Sequence, residues 1–208
     1  MSPTFIVTGT DTDVGKTVFA AALAGALNGY YWKPVQAGLV DISDAQSVSD
    51  LSGLHADHIL PEAYRLTTPC SPHRAAAIDG VEIDPTRLAL PVVLGPLIVE
   101  GAGGALVPFR SDWLHADQFA AWNKPVIIVA RTALGTINHS LLTIEALRFR
   151  GISIHGIAFV GDVHQDSEDI IVRVSGVRRL GRLPHLPVLT GETVKAAFAA
   201  NFELADFT

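Results

Sequence analysis

The segment Gly9-Thr10-Asp11-Thr12-Asp13-Val14-Gly15-Lys16-Thr17 joins the apolar run Thr4-Phe5-Ile6-Val7 to a helix-like run that begins at Val18. A glycine-rich turn between a strand and a helix N-terminus aims several backbone N–H groups at one spot, where the helix dipole also favours an anion. The segment therefore reads as a phosphate-binding loop. Lys16 is placed to meet the outer phosphates of a nucleotide, and the Thr17 hydroxyl to coordinate Mg²⁺. Five residues separate Gly9 from Gly15, one more than in G-x-x-x-x-G-K-[ST], so the loop is a variant of that pattern.

Strand-like runs recur at Phe5–Thr8, Tyr30–Lys33, Leu97–Glu100, Val126–Ala130 and Ile157–Val160, with helical signals between them. Leu142, Ala146 and Phe149 stand at i, i+4 and i+7 with Glu145 and Arg148 off that stripe, and Gly151 follows as a stop. Alternating strand and helix predicts an α/β fold with a mostly parallel sheet covered by helices on both faces, a three-layer P-loop NTPase-like arrangement. In such sheets ligands sit beyond the carboxyl ends of the strands.

At 208 residues the chain suits one domain spanning 1–208, large enough to bury about 70% of the surface its unfolded form exposes. No linker interrupts it. A formal charge of −6 offers no cationic face for nucleic acid, so a small or nucleotide-like partner is expected. Cys70 is the only cysteine, which excludes an intrachain disulfide and argues for a cytosolic protein. Cys70 lies in a proline-rich loop, with no helix N-terminus expected directly after it, and reads as incidental. The purest apolar run, Val18 to Leu27, falls well short of the roughly 20 residues a membrane span needs and reads as a buried helix.

Four polar clusters fall at predicted strand ends. Lys33-Pro34-Val35-Gln36-Ala37-Gly38 brings a lysine beside the phosphate loop, either to hold a second anionic group or as a solvated loop lysine. Asp44 follows Ser43, the expected N-cap of a helix; alone, Asp44 reads as compensation of the helix dipole. Glu100 ends an apolar strand before Gly101-Ala102-Gly103-Gly104, where an unpaired carboxylate is costly. Thr17, Asp44 and Glu100 together make an oxygen-rich set suited to Mg²⁺. Leu134-Gly135-Thr136-Ile137-Asn138-His139 reads either as a carboxylate grip or as a plain helix start capped by Thr136 or Asn138.

These segments, with the Ser71-Pro72-His73 turn, occur in the order and approximate spacing of the dethiobiotin synthetases of the biotin pathway, and the resemblance spans nearly the whole chain. It implies an ATP-dependent ring closure. Diaminopelargonic acid takes up CO₂ as a carbamate, ATP phosphorylates the carbamate, and the second amine displaces phosphate to form a cyclic urea. By resemblance, Lys16 and Lys33 are catalytic, and Thr17, Asp44 and Glu100 hold Mg²⁺. The nucleotide would contact Asp13, Val14, Gly15, Lys16, Thr17 and Val18, then Asp44, Glu100, Gly101, Ala102 and Gly103. Its base would lie near Gly161, Asp162 and the Pro184-His185-Leu186 loop. Substrate would meet Thr12, Lys33 and Ala37, while Gly135, Thr136 and Asn138 reach across a two-fold interface to the substrate of a partner chain. The resemblance thus implies a homodimer.

Three departures from the family stand out. Ala37 lacks the hydroxyl that the family often has there. Gly161-Asp162 replaces an Asn-Asp-like pair that reads the purine, which predicts relaxed discrimination between ATP and other triphosphates. The stretches before Lys33 and before Leu97 are shorter than usual, and Asp84-Pro85-Thr86 can start only a short helix. Two rivals share the loop. A partitioning-type switch ATPase usually carries a further lysine where Asp11 and Asp13 stand here, and it ends in an amphipathic membrane helix not expected in this chain. A cobyrinic-acid-type amide synthase needs a glutamine-hydrolysing domain, for which a chain ending at Thr208 is too short.

Overall fold

A computed structural model describes residues 2–40 and 42–208. Its main sheet contains β1 (Thr4–Gly9), β2 (Tyr30–Trp32), β3 (Ile59–Leu60), β4 (Leu97–Gly104), β5 (Val126–Arg131), β6 (Ile154–Val160) and β7 (Arg179–Leu183). The strands lie in the order β7-β6-β5-β1-β4-β2-β3, and every pairing is parallel. Helices α1 (Lys16–Leu27), α2 (Asp44–Ser52), α3 (Pro72–Asp79), α4 (His115–Trp122), α5 (Thr136–Phe149), α6 (Gln165–Ser175) and α7 (Gly191–Asn201) cover it.

Both faces of the sheet are apolar because side chains alternate along each strand and both sides meet helices. Phe5 and Val7 of β1 pack with Phe19 and Leu23 of α1, Val48 of α2 and Phe198 of α7. Ile6, between them, packs on the other side with Phe119 of α4, Ile144 and Leu147 of α5 and Ile171 of α6. Each such large side chain contributes roughly 1.5–3 kcal/mol when fully buried, so the three layers stabilise one another through the sheet.

The central strand β1 has β4 on one side and β5 on the other. Strand order reverses there, and the loop after β1 opens into a crevice between diverging connections. Gly104 pairs with Gly9 beyond an irregularity after Val7–Glu100. The strand expected to end at Glu100 therefore continues to Gly104, where it pairs with Gly9 at the start of the loop.

The other expected strands are present, although the second ends at Trp32, so Lys33 lies just past it. β3 and β7 were not expected from the sequence, the one having two residues and the other carrying Arg179, Gly181 and Arg182. The long helix over 136–149 is present, but its buried face is Ser140, Ile144 and Leu147, whereas Leu142 and Phe149 are exposed. The expected stripe lies on the outer surface. Three-residue spacing alone did not say which of two partly apolar faces meets the sheet. Asp84 caps a short 3₁₀ turn over Pro85–Leu88, as its sequence suggests.

Candidate active site

The loop Thr10–Gly15 crosses the carboxyl end of β1 and delivers the N-terminus of α1. Gly15 is the N-cap at φ +91°, and no side chain caps the first turn, so its N–H groups remain available to an anion. A Cβ on Gly15 would press on Val160 at 2.8 Å, and one on Gly9 would meet the Asp11 carbonyl oxygen at 2.6 Å. Neither position has room for a side chain. Lys16 Nζ donates to that same Asp11 carbonyl at 3.1 Å, folding back over the loop it follows. Burial pushes the Lys16 ammonium below its ordinary pKa, against the pull of Glu100.

Four further groups converge on this loop from three elements. Glu100, on the central part of β4, is 1% exposed. Its Oε1 accepts from Thr17 Oγ1 at 2.9 Å and from Lys33 Nζ at 3.3 Å, and its Oε2 accepts from the Tyr31 hydroxyl at 2.8 Å. Asp44, the first residue of α2, accepts from Thr17 at 3.2 Å and pairs with Lys33. Ser43 starts that helix by accepting from the Gln46 N–H at 3.2 Å, and Gln36 Oε1 takes the Asp44 N–H at 3.3 Å. Asp44 is thus held by its helix start and by Gln36 of the short strand Val35–Ala37.

The sequence left Glu100 without a protein partner and offered a metal instead; Tyr31 and Lys33 supply partners. Burial presses the Lys33 ammonium toward the neutral form, but Glu100 and Asp44 outweigh it and raise its pKa above the ordinary lysine value. Burial works on Asp44 in the opposite sense to Lys33, and Lys33 prevails, so the Asp44 carboxyl lies below the usual range. The Tyr31 phenol, buried against Glu100, is pushed well above its usual pKa and remains a donor. Thr17 Oγ1 lies within hydrogen-bonding distance of both the Asp44 and the Glu100 carboxylates, and these hard oxygens are a donor set of the kind Mg²⁺ takes.

A cavity of about 840 Å³ opens over these groups, lined by Lys16, Thr17, Lys33, Asp44 and Glu100, with Thr12, Ala37, Ala102 and Gly103 around it. A second cavity of about 450 Å³ lies across the loop and shares Asp13, Gly15 and Val18 with the first. Val14, Asp162, Pro184, His185 and Leu186 line it. The expected residues therefore fall into two adjoining spaces with the phosphate loop between them. Gly101 and Gly161 border neither, because Gly101 faces the His115 and Phe119 rings and Gly161 lies behind the Thr132 side chain. Gly135, Thr136 and Asn138 line neither cavity of their own chain. Gly135 is the N-cap of α5 at φ +96° with no side-chain cap, so neither Thr136 nor Asn138 serves as one.

His115 was not anticipated from the sequence. It begins α4, is buried between Phe109 and Phe119, and its Nε2 accepts the Ala102 N–H at 3.1 Å while Nδ1 lies 2.6 Å from the Val107 carbonyl oxygen. With the proton placed on Nδ1 to suit these partners, burial holds its pKa down at about 3. A neutral imidazole thus ties the glycine-rich end of β4 to the segment that follows it. The Cys70 loop also differs from expectation: α3 begins at Pro72, directly after the N-cap Ser71, so a helix N-terminus does follow the cysteine. The Ser71-Pro72-His73 turn is that helix start.

A family model described as an AAA domain matches residues 3–193. The ATP-dependent dethiobiotin synthetase BioD of Novosphingobium aromaticivorans is 64% identical over 203 residues, covering 98% of each chain. The protein of the same name from Rhodopseudomonas palustris strain BisB18 is 60% identical over 208 residues, covering 100% of both. The chain belongs to the dethiobiotin synthetase family. Among solved structures, a ParA family ATPase from Chlorobium tepidum superposes with a TM-score of 0.50 at 12% identity over 96% of this chain and 98% of that one. The MinC:MinD cell division protein complex of Aquifex aeolicus gives 0.54 at 12% identity, over 94% of this chain and 86% of the matched one. Those two likenesses concern the fold alone, and they place this dethiobiotin synthetase family member on a P-loop NTPase scaffold.

Proposed function

We propose that this chain catalyses the ATP-dependent closure of 7,8-diaminopelargonic acid with CO₂ to dethiobiotin, ADP and phosphate, as a step of biotin synthesis. One amine takes up CO₂ with loss of a proton, the carbamate oxygen accepts the γ-phosphoryl group, and the second amine displaces phosphate to close the urea. The observation that carries the reading is the convergence of the Lys33 ammonium, Thr17, Asp44 and Glu100 beside the loop of Lys16. A carbamate and a triphosphate repel one another, so catalysis rests on neutralising charge and aligning the reacting atoms. Lys33 meets the carbamate and the transferring phosphoryl group, and Lys16 the outer phosphates. Thr17, Asp44 and Glu100 would hold Mg²⁺, which when bound supplies positive charge to the phosphates. Thr12 and Ala37 border the diamine, and the backbone of Ala102 and Gly103 borders the carbamate.

Homodimerisation belongs to the same reading. Leu134 is 101% exposed and Ile137 is exposed, beside Gly135 and Asn138, which is the apolar and polar mix of a surface that meets a second copy, whereas Thr136 is buried against Ser140 and does not reach that surface. Such a copy would bring Asn138 to the tail carboxylate of the substrate held by its partner. Among the described residues no helix is long and apolar enough to cross a membrane, and a cytoplasmic enzyme of small molecules, without nucleic-acid partners, is the place proposed for it. The test is to incubate the purified protein with diaminopelargonic acid, bicarbonate, Mg²⁺ and ATP and to follow phosphate together with the cyclic urea. Phosphate release that does not depend on the diamine would overturn the reading.

A further inference from the structure

Resting on the nucleotide reading above, we infer that the Thr132 hydroxyl is the buried contact that holds the nucleobase. The two cavities meet at Asp13, Gly15 and Val18. A triphosphate whose outer end lies toward Lys33 therefore leaves its nucleoside in the second cavity. Leu183, Leu186 and Pro184 give that cavity apolar surface for a planar ring. Its polar side chains differ in burial. Asp162, His164, His185 and Arg131 are exposed, whereas Thr132, just past the end of β5, is 5% exposed. A hydrogen bond made away from water discriminates more strongly than one at the rim.

Gly161 explains why the hydroxyl is available. A Cβ built there would overlap Thr132 Oγ1, and His185 Nε2 lies 3.5 Å from the same point. The space that a side chain at 161 would fill is thus taken by the Thr132 hydroxyl. The backbone around it is fixed: the Thr132 N–H donates to Val160 O at 3.1 Å, the Gly161 N–H to Leu183 O at 2.9 Å, and Arg182 Nη1 donates to Gly161 O at 2.7 Å. Arg182 Nε in turn lies 3.6 Å from the buried carboxylate of Glu168, which meets Arg179 at 2.5 Å through contacts that are ionic rather than aligned hydrogen bonds. A hydroxyl both donates and accepts, so Thr132 suits amino and keto edges alike.

The test compares the affinities of wild type, Thr132→Val and Thr132→Ser for ATP, GTP, CTP and inorganic tripolyphosphate by calorimetry, without diamine. Valine keeps the shape and removes the hydroxyl. Thr132→Val is expected to bind each nucleotide about tenfold more weakly and tripolyphosphate unchanged, with Thr132→Ser within twofold of wild type throughout. Nucleotide affinities within twofold of wild type in Thr132→Val, or an equal loss for tripolyphosphate, would overturn the assignment. Because binding is read without turnover, failure of wild type to make the cyclic urea counts against the proposed reaction and not against Thr132.

Discussion

At the scale of single residues, the site is a charge-balanced cluster whose members fix one another. Lys33 sits between two carboxylates, so its ammonium is retained at neutral pH without water to solvate it. On the proposed role its interaction strengthens as charge moves in the transition state, and Lys33→Ala is expected to lower kcat by about 10²-fold or more with the fold intact. Steady-state turnover alongside circular dichroism checks this, and turnover within threefold of wild type rejects the role. Glu100→Gln removes the charge that Thr17 and Lys33 share, and the concentration of Mg²⁺ needed for half-maximal activity is expected to rise. An unchanged Mg²⁺ titration counts against the ligand set. His115 makes a separate prediction about stability. Its folded-state pKa is depressed to about 3, so the stability it contributes is fully present above the unfolded value of 6.5 and is lost as pH falls from there toward 3. Urea unfolding of His115→Gln at a series of pH values is expected to fall less steeply across that window than wild type; parallel curves exclude the effect.

At the scale of elements, helix starts and strand ends carry the chemistry. Ser43 caps α2, and the next residue is Asp44, so one hydrogen bond serves both the helix and the site. Ser43→Ala is expected to cost about 1 kcal/mol in unfolding free energy and to weaken activation by Mg²⁺, measured by urea melts and a metal titration on the same preparation. The sequence named this start because Ser-Asp-Ala carries a local capping signal. It named the phosphate loop for a similar reason, since the loop needs only its own glycines and the strand and helix on either side. It did not name His115, whose role depends on Ala102 thirteen positions earlier and on Val107, neither of which has a local signature. The buried face of α5 differs from the expected stripe for a related reason. Leu142 and Phe149 have helical spacing, but only the packed sheet shows that Ile144 and Leu147 face inward.

At the scale of the whole molecule, the outward apolar side chains of α5 and the turn before it become a prediction about assembly. If the proposed homodimer forms through this surface, Leu134→Glu would bury an unpaired carboxylate in the contact, so wild type is expected to sediment as a dimer and the mutant as a monomer. If wild type and mutant sediment alike as dimers, that surface is not the interface. The order of polar clusters along the chain already determined the α/β class, the phosphate loop and the family, because each cluster is a local pattern at the end of an apolar run. What the sequence by itself could not determine was how those ends meet. Lys33, Asp44 and Glu100 are separated by 11 and 56 positions along the chain, and they meet because the parallel sheet sets β4 between β1 and β2. Close approach in a buried setting then raises the proton affinity of Lys33 and lowers that of Asp44. Such shifts arise from low dielectric and close charges, which only the folded chain creates.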